Sequence, residues 1–414
     1  MYLTEYMKAV PTDRKRRINI HSTHCFGSGT TEEGESEIMK RIRISSILSL
    51  ALVVILCIAL TACGGTSDIG SDSNTPAISQ TDSEQRDDSQ KDQDTDTSTP
   101  EMPGSGASSV SNILSVADVP LITLSNGVQV PQLGLGTQIQ RLEQDRSESG
   151  RKLLNDTSHD AVVAALQSGY RHLDTAHGYF NETGVGQAII DSGVSREEIW
   201  VTSKLWPSEY GEGITAKAID DMLERLQLDY LDCIYLHHPA GDYMGAWHDL
   251  EEAYRAGKVR AIGISNFDNY MDAFNQIMEE AEIRPQIMQI ECHPFAQRQE
   301  TRALAAQYDM QVECWYPIGH ADPNLLENET LMAIAEAHGK SVVQVILRWH
   351  MQEGLCAVPG STNPEHIQEN IDIFDFELSD DEMEQIRSLD KGESGRYFNI
   401  NYQQMGGFFT TLGE

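Results

Sequence analysis

The sequence is short of cations and of paired cysteines, and each shortage removes a class of function. Its 30 lysines and arginines face 64 aspartates and glutamates, for a formal net charge of −34. No basic stripe interrupts that excess, so a nucleic-acid surface has no electrostatic footing. The 7 cysteines, at positions 25, 57, 63, 233, 292, 314 and 356, form no C-x-x-C pair. Neither a zinc site nor a disulfide framework is indicated, and no metal is expected. No G-x-G-x-x-G follows the first strand of the globular part, which leaves a doubly wound dinucleotide fold without its fingerprint.

Composition changes along the chain. Residues 1–38 are polar without an apolar period, and read as the product of an upstream start, because Met39 alone opens a signal of normal length. A basic run, Met39-Lys-Arg-Ile-Arg, leads into an apolar run that ends in Leu60-Thr61-Ala62-Cys63-Gly64. Basic, apolar and small-residue segments in that order make an export signal over 39–62. Leu-Thr-Ala-Cys resembles the bacterial lipobox, which implies lipidation at Cys63. The alternative is an uncleaved anchor, since about 19 apolar residues also suffice to span a bilayer. In both cases Lys40, Arg41 and Arg43 hold the amino end inside, and the globular part is expected outside the cytoplasm, attached to the cell membrane. Residues 63–112 follow as a tether. From 68 to 118 there are 11 acids against 2 bases; low hydrophobicity and like charge keep such a segment disordered and extended.

From 113 to 414 the chain reads as globular, and one region of about 300 residues has room for a full core. Alternating apolar residues flank Asn126-Gly127, a hairpin signal. Short apolar runs then recur at 133–136, 171–174, 199–203, 231–236, 259–264, 287–291, 311–314 and 355–358. Amphipathic stretches separate them, among them 160–167, 214–226, 244–256, 270–281, 300–308 and 342–351. Eight β–α alternations predict an α/β protein with a parallel (β/α)8 TIM barrel, preceded by the hairpin, the acidic linker and the signal segment.

Polar residues cluster where the predicted strands end. The second strand ends in His172-Leu173-Asp174-Thr175-Ala176, with Tyr179 one loop away in His177-Gly178-Tyr179-Phe180-Asn181-Glu182. The third ends in Ser203-Lys204-Leu205-Trp206 and the fourth in Leu236-His237-His238-Pro239. Singly, a strand-end Asp or Lys is an ordinary ion pair and a lone His an ordinary core residue. Together they make an acid–base unit. A tyrosine with a pKa of about 10 is a slow acid at neutral pH. A nearby ammonium would lower it, a buried carboxylate would keep that lysine charged, and an imidazole can orient a carbonyl.

The strings Asp-Thr-Ala-x-x-Tyr-x-Asn-Glu, Thr-Ser-Lys-Leu-Trp and Leu-His-x-Pro resemble the signatures of the aldo-keto reductases, and the resemblance spans about 121–390. It implies a nicotinamide-dependent reduction of aldehydes or ketones. Tyr179 would be the general acid, Lys204 and Asp174 would tune it, and His237 would orient the substrate. By the same resemblance Ser265, Asn266 and Gln289 hold the nicotinamide carboxamide and Trp315 stacks on its ring. Ser361, His366, Glu369 and Asn370 hold the adenosine end. Many relatives carry Lys where Gly360 stands and Arg where His366 stands, both on the 2′-phosphate. NADP(H) is therefore the first expectation and NAD(H) the second. His238 stands in place of a pocket Trp, and Gln138 and Met288 replace two further usual residues. The aromatics from Tyr397 to Phe409 either wall the pocket or cap the barrel. The expected partners are a small carbonyl substrate, the dinucleotide and a membrane, with the chain as a monomer. A surface-tethered barrel that binds cofactor without turnover, as sensor or scaffold, is the competing reading, because reduced nicotinamides are scarce outside cells.

Overall fold

The computed structural model describes residues 119–402 together with Gln404 and Phe409. The expected signal at 39–62, Cys63 and the acidic tether lie outside the described residues. Among those described, no helix is long and apolar enough to cross a membrane.

Strands β1 (Leu121–Thr123) and β2 (Gln129–Pro131) form the antiparallel hairpin predicted around Asn126-Gly127. Gly127 takes φ +85°, a left-handed conformation in which side-chain-bearing residues are strained. Eight parallel strands follow: β3 (Leu135–Gly136), β4 (His172–Asp174), β5 (Trp200–Leu205), β6 (Leu231–Leu236), β7 (Val259–Ser265), β8 (Ile287–Glu291), β9 (Gln311–Trp315) and β10 (Cys356–Ala357). They pair in sequence order. Parallel bridges from Leu133 to Ala357 and from Gly136 to Gly360 join the first strand to the last and close the barrel. This is the (β/α)8 architecture, and each strand lies on one of the eight apolar runs.

The helices between them are α1 (Glu148–Gln167), α2 (Glu182–Ser192), α3 (Ile214–Leu226), α4 (Tyr243–Arg255), α5 (Met271–Glu280) and α6 (Gln299–Gln307). Beyond β9 come the short α7 (Pro323–Leu326), α8 (Glu329–His338) and α9 (Val342–Gln352). After β10 come α10 (Pro364–Ile371) and α11 (Asp380–Arg387). Helix α1 begins well before the amphipathic stretch read from residue 160, because Ser147 caps it by accepting from the Gly150 amide. Helices α9 and α11 open on capping boxes, Ser341 with Gln344 and Ser379 with Glu382.

Strand alternation sorts the barrel into layers. Leu133, Leu173, Val201, Ile234, Ile262 and Ile290 face outward onto the helices and are fully buried. Facing inward, Trp200, Cys233, Tyr235, Ala261, Ile287 and Cys356 fill the amino-terminal end, which Leu124 and Val130 of the hairpin stopper. Gly263 lets the Tyr235 ring in: a Cβ there would stand 2.6 Å from it. Further along several of the strands the inward positions turn polar, as at Thr202, His237 and Gln289, and there the site begins.

Candidate functional site

Period-two alternation fixes which side chains enter the barrel. His172 and Asp174 on β4 point the same way, as do Trp200, Thr202 and Lys204 on β5. Lys204 is fully buried, and a buried ammonium needs partners. It donates to Asp174 Oδ1 at 2.6 Å, to the Thr175 carbonyl at 2.9 Å and to the Tyr179 hydroxyl at 3.3 Å. Tyr179 is the last residue of a single 3-10 turn, His177–Tyr179, that follows β4. His237 directly follows β6 and meets the Tyr179 ring edge-on, with centroids 5.8 Å apart. The four residues expected to act together therefore converge at the carboxyl ends of three consecutive strands.

The loop bearing Tyr179 is clamped by its neighbours in sequence. Asn181 is fully buried; its amide donates to the Thr137 carbonyl at 2.8 Å and its oxygen accepts from Thr175 Oγ1 at 2.9 Å. Glu182 accepts from Ser203 Oγ and from Arg225 Nε, each at 2.6 Å. Asn181 and Glu182 thus hold the turn, a role the motif string alone does not display.

Burial sets the protonation states. It pushes Tyr179 well above the usual tyrosine range, with the charges of Asp174, Glu143 and Glu313 adding to it. The sequence led us to expect the ammonium to lower this pKa. Desolvation and three carboxylates outweigh it, so the phenol is held protonated, the form that can donate. Burial likewise holds His237 well below the ordinary histidine range, helped by His238 and Lys204, and His238 falls to about 3. Both rings are neutral, and they stack 4.4 Å apart at 5°.

Deeper in the barrel lies a network that sequence reading missed. Gln289 Nε2 donates to Asp174 Oδ2 at 2.8 Å and to Glu313 Oε1 at 2.6 Å. Tyr235 Oη also donates to Glu313, and His172 Nε2 stands 3.4 Å from its other oxygen, at ion-pair distance but without hydrogen-bond alignment. A glutamate between Val312 and Cys314 in a mostly buried strand was the available signal.

The expected cofactor residues form two groups. Asn266 Nδ2 donates to Ser265 Oγ at 3.1 Å, and Ser265 Oγ donates to Gln289 Oε1 at 3.2 Å, so these three are contiguous. Asn266 also donates to the His237 carbonyl at 3.0 Å, which ties this group to the tetrad. Trp315 ends β9 with its ring packed edge-on against Tyr316 and Phe398. Its Nε1, like His237 Nδ1, is buried without a hydrogen-bond partner among the described residues. Amide, hydroxyl and an aromatic face beside unpartnered donors suit a nicotinamide carboxamide and ring. Ser361 lies past β10, and His366, Glu369 and Asn370 lie on α10, with His366 exposed and Asn370 buried. The two groups are neighbours through Gly136, which pairs with Asp174 on one side and bridges to Gly360 on the other.

The carboxyl-terminal aromatics stand beside the tetrad. Tyr402 makes a 2.7 Å hydrogen bond with His238 Nδ1, and Phe409 packs on the His238 ring with centroids 4.7 Å apart. Trp206 meets both His237 and His238 edge-on. Of the two readings of this segment, a wall over the strand-end rim is the one this packing matches. Elsewhere, between barrel and helices, donor atoms of Cys292, Cys314 and His350 lie within 4.8 Å of one another, a grouping the cysteine spacing did not flag. Both ring nitrogens of His350 already face backbone carbonyls, of Ile346 at 2.8 Å and of Cys292 at 3.2 Å.

The chain is similar to known proteins. Residues 132–391 match the family model described as the aldo/keto reductase family. A glyoxal reductase of Bacillus subtilis (strain 168) is 43% identical over 273 residues, which is 66% of this chain and 93% of that protein. The crystal structure of an aldo/keto reductase from Brucella melitensis is 40% identical, with a TM-score of 0.60, covering 66% of this chain and all (100%) of that one. That of a Bombyx mori aldo-keto reductase in complex with NADP is 32% identical, with a TM-score of 0.61, covering 69% and 96%. With the barrel, the strand-end tetrad and these likenesses in agreement, the chain belongs to the aldo/keto reductase family.

Proposed function

We propose that this protein is an NADP(H)-dependent oxidoreductase that reduces small aldehydes or ketones to alcohols. The observation that carries it is the Lys204 ammonium held between Asp174 and the Tyr179 hydroxyl, at 2.6 and 3.3 Å, beside a neutral His237. When bound, the dinucleotide supplies the hydride to the carbonyl carbon. Tyr179 gives its proton to the carbonyl oxygen, and the adjacent ammonium stabilises the phenolate left behind. His237, neutral and able to donate one N–H, orients that oxygen. Ser265, Asn266 and Gln289 would hold the carboxamide and Trp315 the ring, with Ser361, His366, Glu369 and Asn370 at the adenosine end. The NADP complex of the Bombyx mori relative supports NADP(H), and the similarity to a glyoxal reductase supports a small polar carbonyl. His238 and Trp206 would line the substrate side.

The export signal read over 39–62 supports a second element of the proposal: the barrel is tethered by a lipid at Cys63 and works outside the cytoplasm. That setting is what favours the competing reading, a cofactor-binding barrel without turnover. Steady-state rates with NADPH and a panel of small aldehydes and α-keto compounds separate the two. Tyr179→Phe is expected to lower kcat by at least about 100-fold while NADPH affinity stays within about twofold, because the hydroxyl acts on the substrate and not on the dinucleotide. A wild-type rate no higher than the variant's sinks the reductase reading and leaves the binder.

A further inference from the structure

We propose that Arg141 grips the 2′-phosphate of NADP(H), in a cavity between the loop after β3 and the segment after β10; this rests on the cofactor reading above. The barrel closes where Gly136 meets Gly360, and a Cβ on Gly360 would stand 3.0 Å from the Gly136 carbonyl. The seam is thus too tight for a long cationic side chain at 360 to be accommodated without a shift. The loop following β3 turns back over the same place. Arg141 Nη2 donates to Thr362 Oγ1 at 3.1 Å, directly after Ser361 and just before α10, the helix of Glu369 and Asn370.

Thr137, Gln138, Arg141, Gly360, Ser361 and Thr362 border a cavity of about 320 Å³, large enough for part of a small-molecule ligand. Of the residues that line it, Arg141 alone carries a charge. In a chain of net charge −34, a cavity with a cation and no carboxylate is a local reversal of sign. Among the described residues the guanidinium has no carboxylate partner within ion-pair distance, whereas most arginines of the barrel do. Thr362 Oγ1 accepts from it, and Ser361 lines the same cavity. A planar fork of N–H donors with hydroxyls alongside suits a phosphate monoester, which accepts bidentate, charge-assisted hydrogen bonds. Because Ser361 and Thr362 border the cavity just before α10, the helix read as holding the adenosine end, the phosphate it meets is the one on the adenosine ribose.

The test is equilibrium binding, read from quenching of tryptophan fluorescence in the full chain, for wild type, Arg141→Ala and Arg141→Lys. The ligands are NADP⁺, NAD⁺ and 2′,5′-ADP. Arg141→Ala is expected to weaken NADP⁺ and 2′,5′-ADP by about tenfold or more, and Arg141→Lys by less, since an ammonium keeps the charge but not the fork. NAD⁺ affinity should stay within about twofold, which also reports that the variants are folded. Equal losses for NADP⁺ and NAD⁺ overturn the proposal in favour of a contact to the diphosphate, and unchanged affinity for NADP⁺ overturns it outright. A wild type that binds neither dinucleotide removes the underlying function, and this inference with it.

Discussion

Glu209 accepts the Trp206 amide through Oε2 at 2.8 Å, and its other oxygen faces His177 Nδ1 at 3.1 Å. Burial nonetheless raises its pKa to about 7, and burial lowers that of His177 to about 4, so at neutral pH His177 is neutral and Glu209 keeps its proton about half the time. The folded state holds the Glu209 proton more tightly than the unfolded chain does. Its contribution to stability is therefore complete below pH 4.5 and is lost as pH rises through about 7. Glu209→Gln keeps the shape and removes the titration. In urea unfolding, the variant should gain on wild type by ~1–3 kcal/mol between pH 5 and pH 8. A gap that stays constant, or moves the other way, means that Glu209 is ionised in the fold. The residue types of the site were legible in the sequence, but their protonation was not. Tyr179 makes the same point: the motif displays a lysine beside it, while its pKa is set first by desolvation.

Among the elements, the eight strands were the most legible, because a strand buried on both faces reads as an apolar run whatever surrounds it. Helices were harder. Helix α2 (Glu182–Ser192) begins on the last residue of the catalytic motif, and α10 lies within the cofactor motif, where polar residues interrupt the apolar period. Their caps and positions become plain only against the barrel. The seam between β3 and β10 shows no sequence signal at all: it rests on Gly136, whose Cβ would stand 2.7 Å from the Val358 carbonyl. Backbone cannot swing aside as a side chain can. Gly136→Ala is expected to cost ~1–3 kcal/mol of stability, measured by chemical unfolding. It should also weaken dinucleotide binding, since Asp174 and Gly360 flank that residue. A variant as stable as wild type would mean the seam is looser than its spacing implies.

For the whole molecule, the strongest sequence statement concerns residues that the structure does not describe. The run ending in Leu60-Thr61-Ala62-Cys63 motivates a prediction about location. Expressed in bacteria fed labelled palmitate, the wild-type chain should carry label and lose residues 39–62. Cys63→Ala should carry none and keep them. Label that persists in the variant, or an unlabelled wild type with its signal intact, would favour the uncleaved anchor. The acidic surface bears on solubility and on the sign of bound ligands rather than on the fold. Against that surface Arg141, which among the described residues has no carboxylate within ion-pair distance, is a local positive charge.

The sequence alone determined the fold class, the hairpin and the four residues at the strand ends. Each of these is written in short-range patterns: period-two and period-3.6 alternation, turn residues, and motifs confined to a few neighbours. Tertiary structure decided the rest. It decided that Tyr179 stays protonated, that Glu313 joins Asp174 through Gln289, that the barrel seam is tight at 360, and that an arginine from the loop after β3 stands beside that place. Desolvation and through-space distance govern these outcomes. Both depend on which residues, far apart in the chain, are brought together, and no local pattern records that.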